Sequence, residues 1–305
     1  MPRFILPCFI AFTFATFLLL RSPDPDHTHP THAPNTSPVR IISLAPSITE
    51  TLFALDLNDR IAGVTKFCDY PDAACDKPRI GGYYDPNFER IIELQPDLII
   101  TLPEHAEDRD KLSQLNTHCL TVDHSTTSGI LQSITDIGQA CNTPKQAELL
   151  RRRLSGTLDQ IRTATNALPR PRVLVSLGSP GTDGPNGRIT ICGPGSIYDE
   201  LLTIAGGTNA YQGDVPYPQL SGDGLASLAP DIIVDMVSDM EGTAPNRAKA
   251  REAWESLPAL EAIENEQVHI LTADYLTVPG PRFVLLVQDL ARIMHPNALT
   301  TKAQQ

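Results

Sequence analysis

Apolar residues along this chain fall into short β-branched runs separated by stretches of helical spacing. Ile41-Ile42-Ser43-Leu44 reads as a buried strand. Ser47 to Leu55 reads as a helix, with Ile48, Leu52 and Leu55 on one face and a capping-box pattern of Ser47 with Glu50 at its start. The alternation continues through strand Ile61 to Thr65, helix Phe88 to Leu94, strand Asp97 to Thr101, helix His105 to Leu115, strand Cys119 to Val122 and helix Ile130 to Ala140. Pro144 then opens a polar helix through Ala167, about 24 residues and about 36 Å long at 1.5 Å per residue. Its apolar positions are Ala147, Leu150, Leu154, Leu158 and Ile161. After it come strands Arg172 to Leu177 and Ile189 to Cys192, helix Ser196 to Ala205 and strand Asp231 to Asp235. Helix Arg247 to Glu255, strand Val268 to Leu271 and a closing helix Pro281 to Met294 complete the pattern. Such alternation predicts mainly parallel sheets with helices on both faces.

The two halves echo each other. Glu89-Arg90-Ile91-Ile92-Glu93-Leu94-Gln95-Pro96-Asp97-Leu98-Ile99-Ile100 matches Asp223-Gly224-Leu225-Ala226-Ser227-Leu228-Ala229-Pro230-Asp231-Ile232-Ile233-Val234. In each, an acidic residue stands five positions before a Leu, and Pro-Asp opens an apolar run. Ser47-Ile48-Thr49-Glu50 and Ser196-Ile197-Tyr198-Asp199 form a second echo. A two-copy repeat predicts an α/β fold of two similar lobes, joined by the long helix, with a ligand in the cleft between. The expected boundaries are 39–142 for the N-terminal lobe, 143–169 for the bridging helix, 170–297 for the C-terminal lobe and 298–305 for a tail.

The first residues belong to neither lobe. Phe4 to Leu20 is an uncharged apolar run between Arg3 and Arg21, so residues 1–21 read as an export signal or a retained N-terminal anchor. Residues 22–38, rich in Pro, His and Thr, read as a polar linker, with His27, His29 and His32 part of the tether rather than metal ligands. The formal net charge is −12, and the leader's two arginines are its only charged side chains, so the exported part is more acidic still. That argues against nucleic acid or an anionic membrane surface as partner. Cys68, Cys75, Cys119, Cys141 and Cys192 follow the leader. In an oxidising compartment some should pair, and Cys68 with Cys75, flanking a Tyr-Pro turn, is the first candidate.

The chemistry of an enzyme is missing from the sequence. No Gly is followed by Lys-Ser or Lys-Thr, as a phosphate-binding loop requires, and no G-x-S-x-G or HExxH occurs. Gly178, Gly181, Gly184 and Gly187 lie among prolines and read as a loop. His105, His118 and His124 are scattered and make no metal site. The expectation is a protein with no catalytic residues, no metal and no cofactor.

Several segments in order resemble the substrate-binding proteins of the vitamin B12 and ferric-siderophore ABC importers. They are Arg40 to Glu50, Gly63-Val64-Thr65-Lys66-Phe67-Cys68-Asp69-Tyr70-Pro71, Gly81 to Ile91, and Pro96-Asp97-Leu98-Ile99. In the second half they are Gly193-Pro194-Gly195-Ser196, Ala205-Gly206-Gly207-Thr208-Asn209, Val215 to Ser221, Pro230-Asp231 and Pro279-Gly280-Pro281-Arg282. The match runs from about Arg40 to about Met294 and is most similar to the B12-binding branch.

The resemblance implies a monomeric extracytoplasmic carrier, in the periplasm or tethered by residues 4–20, that binds cobalamin or a related corrinoid. It implies delivery to the permease subunits of an importer. By resemblance, Phe67, Tyr83 and Tyr217 fall where B12-binding relatives place cleft aromatics, and Asp274, Tyr275 and Arg282 where the second lobe contacts ligand. The sequence departs from that branch at Leu102, where a relative has a further cleft aromatic. Glu89 and Asp223 fall where such proteins meet arginines of the membrane subunits. Two alternatives stand beside this reading. One is a ferric siderophore or haem in the same fold. The other is a membrane-anchored sensor or interaction protein without a transport role.

Overall fold

The computed structural model describes residues 37–114, 117–180, 188–237, 246–257 and 260–299. The expected leader at 1–21, most of the linker at 22–38, Gly181, Gly184 and Gly187 lie outside the described residues. From Ser37 onward the chain forms one compact unit. Among the described residues, no helix is long and apolar enough to cross a membrane.

The first half builds a four-stranded sheet from β1 (Ile41–Ser43), β2 (Ile61–Val64), β3 (Leu98–Thr101) and β4 (His118–Thr121). Its helices are α1 (Pro46–Ala54), α2 (Phe88–Glu93), α3 (Ala106–Ser113) and α4 (Thr127–Ala140). The strand order is β2-β1-β3-β4, all parallel. Next comes α5 (Pro144–Thr165), a single helix of 22 residues. The second half builds β5 (Arg172–Ser176), β6 (Ile189–Thr190), α6 (Ile197–Ile204), β7 (Thr208–Asn209), β8 (Gln219–Leu220) and α7 (Gly222–Ala226). It continues through β9 (Ile232–Met236), α8 (Arg247–Glu255), α9 (Glu261–Glu264) and β10 (Val268–Leu271) to α10 (Phe283–Met294). Its main sheet runs β10-β9-β5-β7, again parallel, so the first and third strands are central in both halves. β6 and β8 form a separate antiparallel pair, with no counterpart among the described residues of the first half.

Central strands buried on both faces need continuous apolar runs, and these strands have them: Ile41, Ile42, Ile99, Ile100, Ile233 and Val234 are fully buried. The long helix turns Ala147, Leu150, Leu154, Leu158, Ile161 and Thr165 inward. They join a core that includes Ile134 and Ile137 of α4, Leu201 of α6 and Leu286 and Leu290 of α10. The bridge is therefore packed along its length against both halves. It ends at Thr165, two residues short of the sequence expectation.

The repeated Pro-Asp motif has one structural job, done twice. Asp97 accepts from the amides of Val39 and Arg40 at 2.8 and 2.9 Å, and the Arg40 guanidinium reaches back to the carbonyls of Leu94 and Gln95. Asp231 accepts from the amide of Arg172 at 2.7 Å, and that guanidinium reaches the Leu228 carbonyl at 2.9 Å. The residue before each proline, Gln95 or Ala229, sits at positive φ, 47° or 43°. Each clasp binds the start of a lobe's first strand to the turn that opens its third. The carboxylate satisfies strand-end amides and the guanidinium a tight turn's carbonyls.

The second echo is only half alike. Ser196 caps α6 by accepting from the Asp199 amide. Ser47 caps nothing, because Pro46 opens α1 and moves the cap position to Ala45. The Ser47 hydroxyl bonds His124 instead, and Glu50 reaches Arg282. The expected capping box at Ser47 and Glu50 is thus replaced by longer-range contacts.

The expected Cys68–Cys75 disulfide is also corrected. Both thiols are free. Cys68 is buried, its sulfur 3.2 Å from the Thr49 hydroxyl and 3.1 Å from that of Thr65. Cys75 is exposed and its sulfur faces the Asp69 carbonyl. The chain turns one side chain into the core and the other outward, which nearness in sequence could not reveal.

Candidate functional site

Loops at the C-terminal ends of parallel strands are where α/β sheets hold their ligands. Here the loop after β2 carries Phe67 and leads on to Tyr83, and the loop after β3 carries Leu102, Glu104 and His105. From the second half, the approach to β8 carries Tyr217, and the loop after β10 carries Asp274, Tyr275 and Arg282.

The aromatic residues are half in water. Phe67 and Tyr217 are each 46% exposed and Tyr84 is 77% exposed, so the loops present ring surface to solvent. Tyr83 is partly buried, edge-on to Tyr84 at 4.7 Å and tilted against His105 at 4.8 Å. Tyr217 stands edge-on to Tyr198 at 6.4 Å. The His105 ring is fixed: Nδ1 accepts from the Leu102 amide at 3.0 Å, so Nε2 carries the proton and donates to the Tyr83 carbonyl. Burial pushes the Tyr83 phenol far up and the Tyr217 phenol to about 12, and the charge of Glu104 adds to both shifts. The exposed Glu104 thus adds a small upward push to the phenol of one aromatic from each lobe. Leu102 is buried in the core and offers no ring to the cleft.

Arg282 is the centre of a second group. Its guanidinium binds both carboxylate oxygens of Glu50, at 2.6 and 3.0 Å, and the carboxylate of Asp274 at 2.8 Å. It also stacks 3.5 Å over the Tyr70 ring, with Tyr275 at 5.7 Å. Tyr275 donates to Asp289 at 2.5 Å, and burial and that carboxylate raise its phenol to about 12. The structure brings Asp274, Tyr275 and Arg282 together, and Arg282 already holds two carboxylates. Glu50 and Tyr70 belong to the group and were missed: Glu50 resembled a helix cap, and Tyr70 stood inside a recognised motif without a role.

His124 joins the same wall. Ser133 donates its hydroxyl hydrogen to the Ile130 carbonyl, so it accepts from His124 Nε2 at 2.8 Å, and Nδ1 accepts from Ser47. Burial lowers the His124 pKa from 6.5 to about 4, keeping the imidazole neutral. A group with a depressed folded pKa binds fewer protons in the folded state than in the unfolded state. Its contribution is whole above pH 6.5 and is lost as pH falls toward 4. Urea unfolding across that window should show about 3 kcal/mol of acid-dependent loss from this side chain. His124→Asn, which keeps a donor and an acceptor, should flatten the pH dependence; an unchanged slope would assign it to other groups.

Glu89 and Asp223 occupy matching places, the second residue of α2 and of α7. Each helix is capped by a side chain two positions earlier, Asn87 or Ser221. Both acids are exposed, and among the described residues neither carboxylate has an ion-pair partner. Charge placed so is favourable to a helix start and free for a partner.

Comparison with known proteins adds a family. A model of periplasmic binding proteins matches residues 41–275. An uncharacterized ABC transporter substrate-binding lipoprotein of Bacillus subtilis, YvrC, is 27% identical over 268 residues, covering 85% of this chain and 81% of the relative. A vitamin B12-binding protein of Vibrio cholerae is 29% identical over 255 residues, covering 82% and 87%. Among solved structures, the periplasmic heme-binding protein BhuT in complex with two hemes superposes with a TM-score of 0.73 at 28% identity, covering 85% of this chain and 98% of that one.

Proposed function

This chain belongs to the family of periplasmic binding proteins, and on that footing we propose that it captures cobalamin or a related corrinoid outside the cytoplasm and hands it to an importer's permease. The coarser part is firm: it is a substrate-binding protein of an ABC importer, of the B12, haem and siderophore type, and not an enzyme. Such proteins carry ligands rather than cofactors.

The observation that carries the corrinoid reading is the set of partly exposed rings on the strand-end loops of both lobes, Phe67 and Tyr83 on one and Tyr217 on the other. Partly exposed rings offer apolar area at low entropy cost to a corrin's edges, while protonated phenols can serve its amide groups. The negative charge of Glu104 opposes an anionic chelate, and Arg282 is already neutralised by Glu50 and Asp274. Ligand contacts are proposed for Phe67, Tyr83 and Tyr217, with Asp274, Tyr275 and Arg282 supporting them from the second lobe.

Haem is the second reading, favoured by the likeness to a protein solved with two hemes. Iron ligation here would have to overcome the raised phenol pKa values and the double engagement of His105. Titration calorimetry of the full-length protein with cyanocobalamin, hemin and a ferric hydroxamate siderophore tests these readings together. The expected result is micromolar or tighter binding of cyanocobalamin. Tyr83→Ala and Tyr217→Ala should each weaken it about tenfold, roughly 1.4 kcal/mol per ring. Heat with hemin or the siderophore but not with cyanocobalamin would overturn the corrinoid assignment.

Docking is proposed for Glu89 and Asp223 against basic residues of the permease. For the location, residues 4–20 are proposed as export signal or tether, with a lipoprotein among the relatives as support for a surface-held carrier.

A further inference from the structure

The contacts between the two halves follow one pattern. α1, the first helix after β1, carries Glu50, which closes on Arg282 at the N-terminal cap of α10, the last helix of the other half. α6, the first long helix of the second half, carries Glu200. Its carboxylate accepts from the amide of Thr127 at 2.8 Å and from the Thr127 hydroxyl, at the start of α4, the last helix of the first half. Each half thus sends one carboxylate from its leading helix to the N-terminus of the other's closing helix. The anchor points are firm. α4 is held to its own half by the Cys141 carbonyl, which accepts from Ser37 and Arg60, and by His124 bonded to Ser47. Gly280 brings the α10 loop so close to α1 that an added Cβ would lie 3.1 Å from the Ser47 Cα.

We infer that Glu50 and Glu200 are a matched pair of positioning residues that latch the two lobes together and fix the separation at which the cleft holds its ligand. The inference rests on the carrier reading above, but the latches themselves can be tested without any ligand. The apolar core that the bridging helix shares with both halves is non-directional, and tolerates small twists and slides. Two further ties on separate helices add directional bonds at fixed points, and these select one relative orientation. Glu50 is 4% exposed, so its ion pair is shielded from salt and sensitive to geometry. The Glu200 bonds combine helix-start amide capture with a hydroxyl, which a glutamine could partly reproduce through its side-chain oxygen.

The test compares full-length wild type with Glu50→Ala plus Glu200→Ala, with Glu200→Ala alone and with Glu200→Gln. Small-angle scattering of the unliganded protein gives the separation of the lobes, and stopped-flow displacement gives the dissociation rate of cyanocobalamin. The double alanine variant should show a larger radius of gyration and at least tenfold faster ligand loss, with little change in association rate. Glu200→Ala should show part of both effects and Glu200→Gln should restore most of each. An unchanged radius of gyration in the double variant would overturn the inference, as would equal behaviour of Glu200→Gln and Glu200→Ala. If the double variant does not fold, Glu200→Ala against Glu200→Gln decides alone. If cyanocobalamin does not bind to wild type, the scattering comparison still decides the latch while the corrinoid reading falls.

Discussion

Asp235→Ala is expected to cost about 3–5 kcal/mol of folding free energy, the largest effect of a single substitution argued for this molecule. Asp235 ends the buried face of β9 and is fully buried. It accepts from Ser176 at 2.9 Å, from Ser179 at 2.5 Å and from the Trp254 indole at 2.9 Å. Burial raises its pKa against the pull of these donors, so desolvation outweighs the hydrogen bonds in the balance between its charged and neutral forms. Removal still destabilises, because it leaves three buried donors without their acceptor, and the indole of a fully buried Trp254 cannot turn to find another. Trp254 is the only tryptophan of the chain, so urea unfolding followed by its fluorescence reports the same site. Asp235→Asn keeps one acceptor oxygen and should cost about 2 kcal/mol. A raised folded pKa means that the folded state holds the proton more tightly than the unfolded state. Stability from this group is therefore greatest in acid and falls as pH rises through the raised value, and the Asn variant should lose that slope. A cost below about 1 kcal/mol for Asp235→Ala would mean that water enters and replaces the carboxylate.

Glu89→Ala combined with Asp223→Ala should lower ligand uptake at least tenfold while leaving ligand affinity and thermal stability unchanged. Both side chains are exposed at helix starts, so their loss removes only a few tenths of a kcal/mol from folding. Neither carboxylate is among the proposed ligand contacts, so binding should stay intact. On the docking proposal their value would lie in encounter: matched charges raise association rates by about 10 to 1,000-fold at low salt and fix the register of docking. Uptake into proteoliposomes holding the cognate permease and its ATPase, measured at two ionic strengths, is the appropriate readout. The wild-type advantage should shrink at higher salt. Full uptake by the double variant, with ligand still bound, would remove these residues from the docking surface.

The lobes were legible because parallel strands buried on both faces need apolar runs. Ile41-Ile42, Leu98-Ile99-Ile100 and Ile232-Ile233-Val234 could hardly be read otherwise. The same holds for the long helix, whose buried positions match the spacing of Ala147, Leu150, Leu154, Leu158 and Ile161. What escaped had its partner far away in sequence. Glu50 looked like a local cap, and only the fold brings Arg282 to it. Glu200 carried no local signal, because Thr127 lies on a helix of the other half. The β6–β8 pair was missed since two-residue strands leave no periodicity to count. The proposed cleft residues Phe67, Tyr83 and Tyr217 were legible through the family resemblance, which their place in Pro- or Gly-containing loops supports. Glu104 carried no motif of its own, and only the fold sets it on the loop after β3.

The clasp made by Arg40 with Asp97, and again by Arg172 with Asp231, bears on how such a protein can change its cargo. Each clasp fastens the two ends of a long excursion, from the first strand of a lobe out to the cleft and back to the third. Phe67 and Tyr83 ride on one excursion and Tyr217 on the other. With the ends tied by bonds that involve neither cleft nor core side chains, the strand-end loops within each excursion can be exchanged, lengthened or shortened at little cost to the sheets, since closing a longer loop adds only about 0.6 kcal/mol per doubling. Selectivity can then be rewritten one loop at a time on a frame that need not be refolded.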